Sequence, residues 1–225
     1  MPNKKKIKIA IDGPAGSGKT TTAKIVADKL GYIYIDTGAM YRAVTLAWLN
    51  TGMELKENIL CDLINKIEIG IKNSSLGQRT FLNGEDVSED IRLPEVTKNV
   101  SPVSAFGCVR KKLVTMQREL GRKSAAVLDG RDIGTVVFPD AELKIFLIAS
   151  VDSRAERRTK ELIEKGIEFS VDEIKKQISE RDNYDSSREI SPLRKADDAI
   201  EVDTSNLTIE QQCEIILNYA YKIIQ

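Results

Sequence analysis

Short runs of apolar and β-branched residues recur along the chain and are separated by stretches with helical spacing. Residues 6–12 form the first such run and end in a glycine-rich turn, and residues 19–30 then place their apolar positions on one face before Gly31. This order predicts a strand, a loop and a helix. Further apolar runs predict four more strands, at residues 32–35, 125–128, 143–149 and 199–202.

Fully apolar strands that alternate with helices are typical of a parallel sheet that is covered on both faces. We therefore predict an α/β fold in which a five-stranded parallel sheet carries helices on both sides. The predicted domain spans residues 1–225, and its last helix covers residues 209–224 with an apolar stripe.

The segment between the second and third predicted strands is about ninety residues long, far more than one crossover needs. We assign this excess to an inserted subdomain at approximately residues 37–110. Within it, residues 66–72 and 79–82 predict short strands, and Asn83-Gly84 is a hairpin signal. A small antiparallel sheet is therefore expected inside the insertion.

Composition narrows the chemistry. The 225 residues include 34 Lys plus Arg and 34 Asp plus Glu, so the formal net charge is +0 and gives no field for a nucleic-acid partner. The chain has no histidine, which excludes imidazole bases, Ser-His triads and His-ligated metals. Any catalysis must therefore use carboxylates, cations and backbone dipoles.

The cysteines and the N-terminal residues bear on location. Cys61, Cys108 and Cys213 lie far apart without CxxC spacing, which predicts free thiols in a reducing compartment instead of a zinc site or a disulfide framework. The apolar run after the basic residues 1–8 is too short for a signal peptide or a membrane span. We expect a cytoplasmic protein without a membrane partner.

The glycine-rich turn matches the pattern G-x-x-x-x-G-K-[ST] between a strand and a helix, as a phosphate-binding loop requires. Its glycines permit an inward-facing nest of N–H groups, to which the helix N-terminus adds positive charge. We expect Lys19 to bind the β and γ phosphates and Thr20 to ligate Mg²⁺ directly. Asp129 is expected to hold the same ion through a water molecule. The expected ATP-binding residues are Gly13, Pro14, Ala15, Gly16, Ser17, Gly18, Lys19, Thr20 and Thr21.

A predicted helix after a capping box at residues 170–173 changes character along one face. Positions 171, 174 and 178 are apolar, whereas Arg181, Asp185 and Arg188 continue the same spacing. Burying such charges against a core is costly, so this end should enter a polar cleft that holds an anion. Arg42 and Arg131 follow the second and third strands and should face the same crevice. A second phosphorylated ligand is implied.

Arg154, Arg157 and Arg158 form another cluster, at helical spacing after the fourth strand and before Glu164-Lys165-Gly166. We interpret residues 152–170 as a lid that carries cations to the transferred phosphate, although a salt-bridged surface helix has the same pattern. The candidate catalytic residues are Lys19, Arg131, Arg188 and Arg158. A phosphate-monoester acceptor needs no general base, so the absence of histidine is no handicap.

Five runs of residues together resemble the bacterial cytidylate kinase family, a family of P-loop nucleoside monophosphate kinases. They lie in the family's order at residues 9–19, 36–42, 83–88, 129–139 and 181–188. The resemblance implies a P-loop kinase fold with a lid, and transfer of the γ-phosphate of ATP to CMP or dCMP. It also implies Mg²⁺, brought as Mg·ATP, and a monomer.

The resemblance further implies an acceptor site. Arg42, Arg131 and Arg188 would bind the acceptor phosphate and Arg181 with Asp185 the sugar, while Thr37, Tyr41, Ser101, Arg110 and Asp132 would complete the site around cytosine. The 4-amino group of cytosine suits the Asp132 carboxylate. Uracil presents an acceptor there, which should cost about 1–3 kcal/mol. Gly107-Cys108 departs from the family pattern just before Arg110.

Two alternatives stay open at this point. One is another small-molecule P-loop kinase, for UMP, AMP or an alcohol, where an alcohol would need a base such as Asp36 or Asp132. The other is a nucleotide-switch ATPase that transfers no phosphate to a small molecule. Residues 65–68, Asn-Lys-Ile-Glu, are not the guanine-reading Asn-Lys-x-Asp. ATP consumption that depends on an added nucleoside monophosphate would separate the classes.

Overall fold

Two β-sheets organise the chain in the computed structural model, which describes residues 5–74, 77–164, 166 and 170–225. The strands are β1 Lys8–Asp12, β2 Ile33–Asp36, β3 Ile69–Ser74, β4 Gly77–Leu82, β5 Glu85–Asp86, β6 Ala126–Gly130, β7 Leu143–Ile148 and β8 Ile200–Asp203. The helices are α1 Lys19–Leu30, α2 Thr37–Leu49, α3 Glu57–Lys66, α4 Pro94–Ala105, α5 Gly107–Arg122, α6 Val151–Glu164, α7 Val171–Ser187 and α8 Ile209–Ile224. A 3₁₀ turn at Asp90–Arg92 and a π-helical turn at Ile133–Val137 complete the elements.

The larger sheet has the strand order β2-β6-β1-β7-β8, and every pairing in it is parallel. This confirms the predicted five-stranded parallel sheet, with each strand within two residues of its expected start. The register pairs Asp12 with Gly130 and Asp36 with Asp129. Three carboxylates therefore meet at the carboxyl edge of the sheet, where ligands bind in open α/β folds.

Helices cover both faces of this sheet, as predicted. On one face α1 and α8 pack against buried strand residues such as Ile9, Ile11 and Ile145. On the other face Leu128 and Phe138 pack with α5 and the π-helical turn. The last helix begins and ends where its apolar stripe predicts.

The insertion has its own antiparallel sheet, in the order β3-β4-β5, and its own core. Asn83 and Gly84 turn between β4 and β5 with φ of 51° and 87°, the left-handed values that an Asn-Gly hairpin requires. The core includes Met40, Leu60 and Trp48, the last on α2 and 9% exposed. The strand predicted from residue 66 begins at Ile69 instead, because residues 57–66 continue as the amphipathic helix α3.

The cysteine prediction is wrong for two of the three residues. Cys61 on α3 and Cys108 in the first turn of α5 form a disulfide, with their Cα atoms 5.5 Å apart. The two helices pack side by side in the insertion core, and the sequence separation of 47 between the cysteines hides this proximity in the sequence. Cys213 is a free, buried thiol in the core under α8, as expected.

The predicted lid, residues 152–170, falls on α6 and ends at Ser170, the N-cap of α7; the two helices pack through Ala155, Ile174 and Ile178. Ser170 and Glu173 form the predicted capping box, whereas Val171 is exposed and takes no part in the inward stripe. Residues 165 and 167–169 of the predicted lid, and residues 1–4 of the basic start, lie outside the described residues.

Across the described ranges, we find no helix with the length and apolar character that crossing a membrane demands.

Candidate active site

The loop between β1 and α1 has the geometry of an anion site. Gly16 and Gly18 adopt φ of 78° and 87°, which glycine reaches without strain. Gly13 fits because it has no side chain: a Cβ there would lie 2.1 Å from the Leu147 carbonyl oxygen. The loop thus runs directly into the N-terminus of α1, where backbone N–H groups attract phosphate.

Lys19 is buried in this loop. Its Nζ donates hydrogen bonds to the Pro14 carbonyl oxygen at 2.6 Å and to Ser17 Oγ at 3.3 Å. Burial lowers its pKa well below the usual range; the Arg131 charge adds to the shift, and Asp129 opposes it. The loop's own carbonyl group therefore holds a desolvated ammonium group close to where phosphate oxygens would lie.

Thr20 and Asp129 supply an oxygen pair beside the loop. Thr20 Oγ1 donates to Asp129 Oδ2 at 2.7 Å, and the Tyr34 hydroxyl donates to Oδ1 at 2.8 Å. Burial raises the pKa of Asp129 to about 6, with a further contribution from Asp36. A hydroxyl and a carboxylate fit Mg²⁺, which binds one or two protein oxygens together with substrate phosphates. This pairing matches the predicted metal residues. Thr21, also predicted for ATP, is exposed on the first turn of α1.

Two of the three predicted lid arginines contact the phosphate loop. Arg154 donates to the Ala15 carbonyl oxygen at 3.2 Å and pairs with Asp182 at 2.6 Å, while Arg157 donates to the Gly16 carbonyl oxygen at 3.4 Å. Arg158 is partly exposed and pairs with Glu161 one turn along its own helix, at 2.9 Å. The structure therefore groups Arg154 and Arg157, and not Arg158, with the loop.

A cavity opens next to the loop, at the carboxyl edge of the sheet. It contains all ten residues predicted for the acceptor, together with four that the sequence did not indicate. The predicted residues are Thr37, Tyr41, Arg42, Ser101, Arg110, Arg131, Asp132, Arg181, Asp185 and Arg188, and the additional ones are Gly38, Val100, Ser104 and Gly130.

One end of the cavity holds a buried ion pair. The Arg110 guanidinium donates to Asp132 Oδ2 and to the Ser104 carbonyl oxygen, and lies 5.3 Å from the centre of the Tyr41 ring. Burial raises the pKa of the Tyr41 hydroxyl, so the phenol stays neutral. This end combines a carboxylate oxygen, a flat cation and an aromatic wall.

Next to this ion pair, the cavity is crowded with cations. Arg131 Nε donates to Asp185 Oδ2 at 2.9 Å, and Arg188 lies 3.9 Å from Asp185 Oδ1. Burial and then the Arg131 charge lower the pKa of Arg181 to about 10, and burial and then Arg181 lower that of Arg42 to about 9. Four guanidinium groups share this region with the Asp185 carboxylate, which favours an anionic ligand.

Arg188 reaches this cluster differently from the prediction. Helix α7 ends at Ser187, and Arg188 follows it with ψ of 141°, so the predicted helical face stops at Asp185. Its Nε donates to the Ser191 carbonyl oxygen at 2.7 Å. The extended backbone, not helical periodicity, directs its side chain into the cavity.

Sequence reasoning missed a second polar cluster, at the start of α2. Asp36 Oδ1 accepts from the Ala39 amide at 2.9 Å as the helix N-cap, and Oδ2 accepts from Arg92 at 2.6 Å. Gln78 Oε1 accepts from the Asp36 amide at 3.0 Å, which connects the insertion's sheet to the same residue. An N-cap aspartate is visible in sequence, but Arg92 and Gln78 carried no local signal.

A glycine-rich phosphate loop with a buried lysine, beside a cavity rich in arginine, defines a P-loop phosphotransferase. The family model described as cytidylate kinase matches residues 9–222, nearly the whole chain. The chain therefore belongs to the cytidylate kinase family, which confirms the resemblance.

Individual relatives agree with this assignment. A cytidylate kinase of Bacillus cereus (strain ATCC 10987 / NRS 248) is 51% identical over 215 residues, which cover 95% of this chain and 96% of that protein. One of Bacillus anthracis (strain CDC 684 / NRRL 3495) is 51% identical over 214 residues, covering 95% of each chain. An uncharacterized protein from Eubacterium ventriosum ATCC 27560 shares the fold, with a TM-score of 0.53 at 15% identity and coverage of 97% and 99%.

Proposed function

We propose that the protein transfers the γ-phosphate of ATP to CMP or dCMP and yields ADP with CDP or dCDP. The observation that carries the proposal is the continuity of the two sites. Asp129 contacts Thr20 of the phosphate loop, and the next residues, Gly130 to Asp132, line the cavity that contains every predicted acceptor residue. Donor and acceptor phosphates would therefore meet at the end of β6.

The reaction is an in-line displacement. An oxygen of the CMP phosphate attacks the γ-phosphorus, a new P–O bond forms, and the bond to the oxygen that leaves with ADP breaks. The attacking oxygen is already anionic, so no protein base is required. What the chain supplies is position and positive charge.

Lys19 binds the transferred phosphate. Its ammonium group exchanges the Pro14 carbonyl oxygen for phosphate oxygens, and its burial beside the loop supports this role. Arg131 and Arg188 bind the acceptor phosphate with Arg42, and they face the reacting atoms from the opposite side. Arg181 and Asp185 hold the sugar.

Thr20 and Asp129 would hold the Mg²⁺ of Mg·ATP, the latter through water. When bound, the ion would supply positive charge that neutralises the charge developing on the transferred phosphate. Tyr34 fixes the Asp129 carboxylate by donating to its second oxygen at 2.8 Å.

Asp132 accepts from the 4-amino group of cytosine, and Arg110 and Ser101 face its acceptor atoms. The ion pair between Arg110 and Asp132 supports this proposal, since each holds the other's orientation inside the cavity. Thr37 adds a hydroxyl that donates to the Asp129 carbonyl oxygen at 2.6 Å and so joins the base site to the donor site.

The residues of α6 close over the donor phosphates in this proposal, with Arg158 as the cation that reaches the transferred phosphate on closure. A cytoplasmic monomer is part of the same proposal. Light scattering of the purified protein with and without substrates checks the monomer directly.

The decisive experiment is a coupled assay of ADP formation from Mg·ATP with CMP, dCMP, UMP, AMP or GMP as the single acceptor, and with none. Activity with CMP and dCMP well above the other acceptors is expected. ADP release at the same rate with and without an acceptor would indicate an ATPase and would refute the proposal. Preference for AMP or UMP would refute CMP and dCMP as the acceptors, and the cytosine contacts with them, but not phosphate transfer to a nucleoside monophosphate.

A further inference from the structure

Asp12 is a buried carboxylate that the phosphate-transfer proposal leaves unused. It is the last residue of β1, directly before Gly13 of the phosphate loop, and is 5% exposed. Its two oxygens accept separate backbone hydrogen bonds: Oδ1 from the Ile133 amide at 2.8 Å and Oδ2 from the Gly134 amide at 2.7 Å.

Those two amides belong to the π-helical turn that follows the acceptor residues Arg131 and Asp132 without a break. Two hydrogen bonds from adjacent amides to the two oxygens of one planar carboxylate fix the orientation of the turn as well as its distance from the carboxylate. A carboxylate also binds backbone N–H groups more strongly than a neutral acceptor does. The start of the turn is thus tied to the residue that begins the phosphate loop.

The turn fits tightly against Asp12. A Cβ on Gly134 would lie 3.2 Å from the Lys144 side chain and 3.4 Å from Asp12 Oδ2. On the other side of Asp12, Gly13 packs directly against the β7 backbone. Asp12 thus lies between two close backbone approaches, and a change in its side chain acts directly on the turn whose amides it binds.

Packing of the core alone does not require an ionisable side chain at this position. Burying a carboxylate is costly, and burial raises the pKa of Asp12 to about 7 although both amides oppose the shift. Asp132 and Lys19 are the charged groups that act on it, and one belongs to each substrate site. An apolar residue at the end of β1 would pack at lower cost but could not hold the turn.

We propose that Asp12 is a positioning residue that sets the separation between the phosphate loop and the acceptor residues Arg131 and Asp132. The inference rests on the proposed kinase function. In-line transfer requires the attacking oxygen to lie close to the γ-phosphorus, so an error of about 1 Å costs on the order of 100-fold in rate.

The test is Asp12→Asn, which keeps the shape but places an amide N–H₂ against one of the two backbone donors. We expect kcat with CMP to fall by about 100-fold. Calorimetric binding of a non-hydrolysable Mg·ATP analogue should change less than about twofold, because the loop's own contacts remain. The ratio of kcat/KM for CMP to that for UMP should also fall, because Asp132 moves with the turn.

Ile11→Val is the matched control. Ile11 is the preceding residue of the same strand and is fully buried. Its apolar side chain cannot form a hydrogen bond with the amides of the turn. Its variant should lower Tm with kcat for CMP unchanged. A second variant, Gly134→Ala, adds a methyl group to the same turn without removing Asp12. It should also lower kcat while leaving binding of the ATP analogue unchanged, but by a smaller factor than Asp12→Asn.

A folded Asp12→Asn variant with unchanged kcat would overturn the inference, as would loss of ATP-analogue binding in proportion to kcat. If Asp12→Asn does not fold, Gly134→Ala decides: a fall in kcat with intact nucleotide binding supports the positioning role, and an unchanged kcat overturns it. Wild-type protein without CMP-dependent ADP formation would instead refute the function itself, and this inference with it.

Discussion

The two proposed phosphate sites of this protein are built in opposite ways. The proposed donor site is one continuous segment, residues 13–20, which offers backbone N–H groups and a single lysine to a phosphate. The acceptor cavity draws side chains from α2, α4, α5, α7 and the turn after β6, and holds them with ion pairs. A local segment can bind phosphate in many proteins, whereas the assembled cavity can distinguish one acceptor from another.

The difference predicts different responses to mutation. Changes at the donor loop should abolish transfer for every acceptor alike. Changes in the cavity should leave ATP binding intact and alter the choice of acceptor.

The largest effect is expected at the donor lysine. Lys19→Met removes the buried charge on the transferred phosphate, and kcat should fall by about 1000-fold or more with CMP and dCMP alike. The coupled ADP assay measures this, and Lys29→Met, an exposed lysine at the end of α1, is the control. Residual activity above about a tenth of wild type would remove Lys19 from its assigned role.

The disulfide lies in the insertion and should contribute to the stability of the whole chain. It closes a 47-residue loop, so reduction should cost about 4 kcal/mol and lower Tm by about 12 °C. Thermal unfolding with and without dithiothreitol measures the change. Cys61→Ser should show the low Tm in both conditions; a wild-type Tm that ignores the reductant would show that the bond contributes nothing.

Arg188 tests the acceptor phosphate. Arg188→Ala should reduce kcat/KM for CMP by about 100-fold, because a charge-assisted contact in a water-poor cavity is lost. Calorimetric binding of the ATP analogue should stay the same, and Arg194→Ala, an exposed arginine nearby, should behave like wild type. An unchanged kcat/KM for CMP would take Arg188 out of the acceptor site.

Asp132 tests base selection. Because Asp132 is paired with buried Arg110, Asp132→Asn is a better variant than Asp132→Ala, which would leave the cation without a partner. The ratio of kcat/KM for CMP to that for UMP should fall by about 10-fold, since an amide can donate to the uracil oxygen. A variant that retains the full wild-type ratio would clear Asp132 of the selecting role.

The smallest effect is a pH dependence of stability. The folded-state pKa of Asp12 is raised to about 7 from 3.8, so the folded protein binds a proton that the unfolded chain does not, and stability falls as pH rises between these values. Moving from pH 8 to pH 6 should add about 1 kcal/mol and raise Tm by about 3 °C. Asp12→Asn should lose this increment. An equal increment in both proteins would contradict the assignment to Asp12.

The parts that sequence could predict are those whose causes are local. Strand and helix limits follow from apolar periodicity over a few residues, and the phosphate loop is one short motif, so both were found. Five of the acceptor residues were indicated by helix-face and strand-end positions and the other five by family resemblance, and only the folded chain brings them into one cavity. The Cys61–Cys108 bond and the contact of Arg92 with Asp36, 56 residues apart, depend on how helices pack and leave no local trace. Asp12 was visible only as a strand end.

Trp48 is an intrinsic fluorescence probe of the insertion. It is the chain's single tryptophan, and it lies in the insertion core, whereas the core under α1 and α8 contains Tyr34 as its buried aromatic residue. Its emission should therefore follow the insertion, while circular dichroism follows the whole chain. Helix α5 packs both in the insertion core and in the core on the other face of the main sheet, so the two signals should change together, as one cooperative unit requires.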